Sequence, residues 1–251
     1  MGLKKSIFIT LFIGLFSSLI FSTPTTQHEV RLGTRVAATI LAKYEQTAES
    51  SLIRYVNLVG QSIVKTSGRK DIQYYFTVLA SNDLFALACP GGFIFITEGM
   101  VKQLKNEAEL AGVLAHEIAH INQKHIFDQL KSNEDNNSEL FHRLLMAKHT
   151  TGTVAFHEIG SKASELLLNK GMHQNDEYEA DIAAVFYLKN TGYLPQSYID
   201  VIQRLPHDTT THTHDHPSID QRIADVTAMF PADYLKTGVT LEGRFNRHAL
   251  R

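Results

Sequence analysis

Two histidines four residues apart, inside an otherwise apolar and alanine-rich run, constrain this chain more than any other feature. The run is ELAGVLAHEIAHINQKH, Glu109 to His125, and His116, Glu117 and His120 interrupt it in that order. Its apolar residues recur at helical spacing, which predicts a core helix. Residues four apart in a helix lie one turn on, about 40° round the axis, so His116 and His120 project side by side. Leu110, Val113, Leu114, Ile118 and Ile121 fall mostly on the neighbouring face, so the helix can pack while presenting both imidazoles to a cleft. Two neutral imidazoles so placed can chelate one zinc ion. Glu117 lies about 100° away round the helix, beside a metal rather than on it, where a carboxylate can take the proton of an attacking water. The bland alternative is a pair of hydrogen-bonded core histidines. A third ligand separates the two readings.

That ligand is sought in NDEYEADIAAVFYL, where Asp176, Glu177, Glu179 and Asp181 are candidates. Only Glu177 has an acidic residue four positions later, Asp181, on the same helical face. Asp176 would have Ala180 there, and Glu179 would have Ala183. A ligand carboxylate followed by a second carboxylate that holds a ligand imidazole fits the needs of a zinc site. Taken alone, the stretch also reads as a solvated acidic face.

The composition, 43% hydrophobic and 20% charged over 251 residues, supplies apolar material for one sizeable core. A formal net charge of −2 and a pI near 6.7 make no electrostatic footprint for nucleic acid, and that class of partner is set aside. Residues 1–22 read as an export signal. Lys4 and Lys5 precede the apolar run SIFITLFIGLFSSLIF, which Gly14, Ser17 and Ser18 interrupt and which is short for a spanning helix of about 20 residues. A cut after Ser22 leaves 23–251 as the mature domain in the periplasm or cell envelope. Ile20 at the −3 position departs from the small residue such sites prefer, and an uncleaved signal would instead anchor the domain or keep it peripheral to the membrane. Cys89 is the only cysteine, so no internal disulfide can form, and it is predicted to be a small buried hydrophobe.

Along the mature chain, STPTTQHE reads as a polar bridge and Val30 to Ser67 as one long helix. DIQYYFTVLAS and GGFIFITEG read as strands, with Pro90-Gly91-Gly92 between them as a turn. Asn106 followed by Glu109 reads as a capping box opening the histidine helix. Further helices are predicted over 139–149, 160–170, 176–190, 196–204 and 219–228, with a polar loop over 131–138. The sum is one α+β domain, mainly helical with a small sheet, behind a signal peptide.

The landmarks YVNLVGQSIV, ACPGGFIFITEGMV, NEAELAGVLAHEIAHINQKH, NDEYEAD, NTGYLP and HPSIDQRI follow one another from about Tyr55 to Arg222. With these the chain resembles the HtpX-like and CAAX-prenyl-protease-like family of zinc metalloendopeptidases, in a compact exported form. The resemblance implies a zincin-type domain with the sheet beside the histidine helix, and one zinc per chain held by His116, His120 and Glu177. It also implies Glu117 as catalytic acid/base and Asp181 as the partner that orients His116. Gly92, Phe93, Ile94 and Phe95 would open the edge strand along which an extended substrate pairs. His216 and Arg222 match the family's His-Pro and Arg positions near the cleft and are implied as catalytic residues, the histidine assisting catalysis or occupying the open coordination site. Protein or peptide substrates, and quality control of envelope proteins, follow from the same resemblance. One departure is that Phe85, Ala86, Leu87 and Ala88 stand where the family has an Asn-Ala-Phe-Ala-like run.

Two other classes share parts of this pattern. Peptide deformylases share HExxH with an upstream Cys ligand, but Cys89 lacks their flanking glycine and glutamate signature, and an export signal would separate the enzyme from nascent chains. A zinc-binding chaperone-like or metal-capture protein is favoured by HDTTTHTHDH, with four histidines in ten residues. Capture needs no Glu117, so the intact glutamate argues for hydrolysis.

Overall fold

The computed structural model describes residues 24–131, 172–204 and 218–250, with short pieces between 160 and 167. In chain order its elements are α1 (Pro24–Lys43), α2 (Ser50–Ser67), β1 (Tyr75–Leu79), β2 (Ala86–Cys89), β3 (Phe93–Thr97), α3 (Glu98–Gln103), α4 (Glu107–Asn122) and α5 (His125–Lys131). After them come α6 (Gln174–Thr191), α7 (Gln196–Arg204), α8 (Ile219–Met229), α9 (Ala232–Leu235) and α10 (Glu242–Ala249). The architecture is α+β, as the sequence predicts.

The histidine helix, α4, is buried along its whole length from Glu107 to Ile121. It starts where Asn106 accepts the Glu109 N–H at 3.0 Å, while the Glu109 carboxylate accepts the Lys105 N–H at 2.7 Å. The expected capping box is present with its return bond shifted one residue outward. Around α4 pack α2, α6, α7, the sheet and α10. Glu107, at the first turn and fully buried, accepts the hydroxyls of Tyr55 at 2.8 Å and Tyr193 at 2.6 Å and pairs with the Arg244 guanidinium. One carboxylate thereby ties α2, the end of α6 and α10 to α4.

The sheet order is β1–β3–β2, with β1 parallel and β2 antiparallel to β3. Alternation sends side chains to two faces. Phe76, Val78, Ala88, Ile94 and Ile96 join the main core with α2 and α4. Leu79, Leu87, Cys89 and Phe95 join a second core under Leu32, Val36 and Ile40 of α1. Cys89 is a fully buried apolar residue, as expected.

Several sequence expectations are corrected. The helix predicted over Val30–Ser67 is two helices, because Glu45 to Thr47 pair with the end of β1: Ala80 N–H bonds Glu45 O at 2.8 Å and Thr47 N–H bonds Val78 O at 2.9 Å. The supposed polar bridge is already helical from Pro24, proline being at home in a first helical turn. Strand β2 was not foreseen, since FALAC lacks β-branched residues and pairing with β3 makes it extended. The helices expected over 139–149 and most of 160–170, the loop over 132–138, the signal segment 1–22 and the histidine-rich loop with His216 lie outside the described residues. Among the described residues no helix is long and apolar enough to cross a membrane.

Pro90-Gly91-Gly92 is a turn, as predicted, with Gly91 and Gly92 at φ of 74° and 105°. α1 lies directly on it: a Cβ on Gly33 would stand 1.6 Å from the Pro90 carbonyl oxygen. Gly33→Ala should therefore lower stability by about 1–3 kcal/mol through overpacking backbone on backbone. Gly243→Ala, in α10 with only the Arg247 side chain nearby at 3.8 Å, should gain up to about 1 kcal/mol. Denaturant unfolding of the two variants checks this, and equal effects would contradict the close approach of α1.

Candidate active site

Two packed helices build the site. α4 contributes His116, Glu117 and His120, and α6 contributes Glu177 and Asp181. The Nε2 atoms of His116 and His120 are 3.0 Å apart, with the rings at 84° to one another. Glu177 oxygens lie 3.5 Å from His116 Nε2 and 3.6 Å from His120 Nε2. One donor atom from each of the three residues falls within 4.8 Å of the others, and all three residues are buried. Two imidazole nitrogens and one carboxylate oxygen converging this way suit a tetrahedral metal ion that keeps a fourth position open. Among the described residues no other group of His, Cys, Asp or Glu converges so, and Cys89 takes no part. The cleft in front is a cavity of about 210 Å³ whose walls include Glu117, Ala86, Leu87 and Ala88.

Proton placement prepares His116 for this role. Tyr198, fully buried on α7, donates its hydroxyl to Asp181 Oδ1 at 2.5 Å. Toward His116 Nδ1, 2.8 Å away, the same oxygen can only accept, so Nδ1 carries a proton that Asp181 Oδ1 at 3.1 Å also faces. The Nε2 atom is thereby turned to Glu177 and His120. Burial opposes a charge on His116, but the hydrogen bonds and charges of Asp181 and Glu177 raise its pKa to about 10. His120 is lowered to about 3, first by burial and then by the neighbouring His116 charge. A cation entering among these atoms competes with the proton on His116 Nε2.

Burial also pushes the two carboxyls of α6 up, and Arg222 overrides it. Its guanidinium donates to Asp181 at 2.8 and 2.6 Å and stands 3.3 Å from Glu177 Oε2. Asp181 is held at about 2 and Glu177 well below the carboxylate range, so both are anions. Glu117 is different. Burial lifts its pKa to about 7, with His116 pulling it down and Glu177 pushing it up.

The structure thus brings together His116, Glu117, His120, Glu177, Asp181 and Arg222. Arg222, expected as a catalytic residue, touches the Asp181 and Glu177 carboxylates and does not line the cleft. Tyr198 was missed, because a lone tyrosine in LPQSYIDV carries no spacing signal. The substrate edge is corrected: Phe93, Ile94 and Phe95 lie in the central strand, bonded on both sides, and Gly92 belongs to the turn before it. The strand at the cleft is β2, which lacked a recognisable strand pattern.

Buried histidines and a glutamate on two packed helices, with a second glutamate alongside, define a metallohydrolase class of site. Residues 51–230 match peptidase family M48, and the chain belongs to that family. It is 23% identical over 216 residues to the beta-barrel assembly-enhancing protease of Yersinia pestis, covering 81% of this chain and 44% of that protein. It is 22% identical over 216 residues to the protein of the same name from Escherichia coli strain K12, with the same coverage of 81% and 44%. The mitochondrial metalloendopeptidase OMA1 of Schizosaccharomyces pombe is 24% identical over 192 residues, 72% of this chain and 54% of that one. The chain therefore spans about half the length of the curated relatives it matches.

In a competition titration, Glu177→Ala is expected to lose metal affinity and Glu179→Ala to keep it. The reverse would show that the wrong face of α6 meets the histidines. Tyr198→Phe, which keeps the ring but not the oxygen, should weaken binding by about 10-fold, at the mild end of what an outer hydrogen bond to a ligand contributes.

Proposed function

We propose that this chain is a zinc-dependent metalloendopeptidase, exported by the signal at 1–22, that cuts extended segments of cell-envelope proteins in quality control. The observation that carries this reading is the convergence of His116, His120 and Glu177 with Glu117 beside them and not among them. Zinc, when bound, supplies Lewis acidity toward the attacking water and the scissile carbonyl. The side chains supply the rest. Glu117, with a pKa near neutrality, takes the proton of the water as it attacks and returns it to the leaving amine. Asp181 and Tyr198 hold the His116 ring, and Arg222 keeps Asp181 and Glu177 anionic. The envelope setting is supported by the signal-like pattern of residues 1–22 and by the bacterial relatives, which are beta-barrel assembly-enhancing proteases.

An extended substrate has one open sheet edge available among the described residues. The outer edge of β1 is filled: Gln61, Asn57 and Thr47 donate to the carbonyls of Tyr74, Phe76 and Val78 at 2.9, 2.6 and 2.9 Å. On β2, Phe85 O accepts the Thr97 N–H at 3.1 Å, so Phe85, Leu87 and Cys89 face β3. By alternation Ala86 and Ala88 turn their backbone groups outward, and Ala88 reaches the Glu117 carboxylate. A peptide paired to this edge lies against the general base.

Glu117→Gln should retain one zinc per chain while proteolysis falls about 10²–10⁴-fold, the usual contribution of a general base. Metal analysis and a casein assay on wild type and variant decide. Zinc loss, or wild-type activity, would overturn the assignment. Ala86→Pro, which removes one outward N–H, should raise KM for peptide substrates several-fold with zinc content unchanged, and an unchanged KM would remove β2 as the docking edge.

A further inference from the structure

His116 has Asp181 and Tyr198 behind it, whereas among the described residues no carboxylate is bonded to His120 Nδ1. What stands there is another histidine. His120 Nδ1 lies 2.8 Å from Nδ1 of His125, and both rings are buried. His125 Nε2 faces two acceptors, Gln123 Oε1 at 3.0 Å and the Glu179 carboxylate at 3.6 Å. A carboxylate only accepts, so the His125 proton belongs on Nε2 and its Nδ1 offers a lone pair. The short contact between the two Nδ1 atoms then has one donor, the Nδ1–H of His120. With its proton there, His120 presents an unprotonated Nε2 toward Glu177 and His116.

The backbone is shaped to allow this. α4 ends at Asn122, and Lys124 takes the left-handed conformation at φ 60° before α5 begins at His125 itself. A non-glycine residue there is strained, and such strain persists where surrounding structure holds it. It turns the chain back so that the first residue of α5 lies beneath the last ligand of α4.

We propose that His125 is a positioning residue for the metal site, accepting the Nδ1 proton of His120 and fixing that ring in the tautomer whose Nε2 can ligate. The inference rests on the metal-site reading above and extends it to a residue outside the HExxH spacing. The chain from His120 through His125 to Gln123 does for the second imidazole what Asp181 and Tyr198 do for the first.

The test is zinc competition against a chromophoric chelator, with the full chain as wild type, His125→Ala and His125→Asn. His125→Ala should bind zinc about 10–100-fold more weakly. Asparagine places its Oδ1 where the histidine carries Nδ1, so His125→Asn should restore most of the loss. Nitrogen-15 NMR of labelled histidines supplies a readout that packing alone would not move: His120 should carry its proton on Nδ1 in wild type and shift toward Nε2 in His125→Ala. Equal affinity of His125→Ala and wild type, an asparagine variant no better than alanine, or a wild-type His120 protonated on Nε2 would each overturn this inference alone. If His125→Ala does not fold, His125→Asn and the wild-type spectrum decide. A wild type that binds no zinc would overturn the metal-site reading itself.

Discussion

A helix buried on every side cannot leave a polar side chain without a partner, since an unpaired buried group costs about 1–3 kcal/mol and a buried charge more. α4 carries Glu107, Glu109, His116, Glu117 and His120 into that position, with Asn122 half-buried at its end, and much of the surrounding structure answers them. Glu107 draws in Tyr55, Tyr193 and Arg244. Glu109 pairs with Arg204 of α7 at 2.6 Å. Asn122 bonds Ser67 O and Tyr187 at 3.0 and 2.9 Å and accepts from Tyr74. The neighbours of α4 are held by these bonds as well as by the apolar core between them.

The same rule explains the electrostatics at the centre. Asp181 and Glu177, one turn apart on α6, would repel one another, and Arg222 compensates both from α8. Two anions and one guanidinium leave a net negative charge facing two imidazoles, a setting that favours a cation. Glu117 feels the same charges, with His116 and Arg222 pulling its pKa down and Glu177 pushing it up, but burial is the largest influence and gives it the higher proton affinity that a group exchanging protons requires.

Much of this was legible in the sequence because helical geometry is local. His116, Glu117 and His120 on one helix, and Glu177 with Asp181 on another, follow from spacing alone, and their burial and mutual approach agree with it. What spacing could not supply were partners set by tertiary packing. Tyr198 reaches His116 from α7, 82 positions along the chain, with no periodic signal. β2 is a strand because β3 offers it a ladder, not because FALAC favours one. The order β1–β3–β2 puts Phe93–Phe95 in the central strand and Ala86–Ala88 on the strand that lines the cleft, a long-range pairing that no local pattern encodes. Lys124 gave no warning of a left-handed turn, since glycine or asparagine is the usual occupant.

Zinc K-edge absorption spectroscopy of the purified chain reads the donor atoms of the His116–His120–Glu177 site themselves. Two histidines and one glutamate on the metal should give a first shell of nitrogen and oxygen at about 2.0–2.2 Å, with the outer-shell scattering of two imidazoles and no sulfur. A sulfur shell at about 2.3 Å would place Cys89 on the metal. Such a shell, or a spectrum carrying no imidazole signature, would contradict that ligand set.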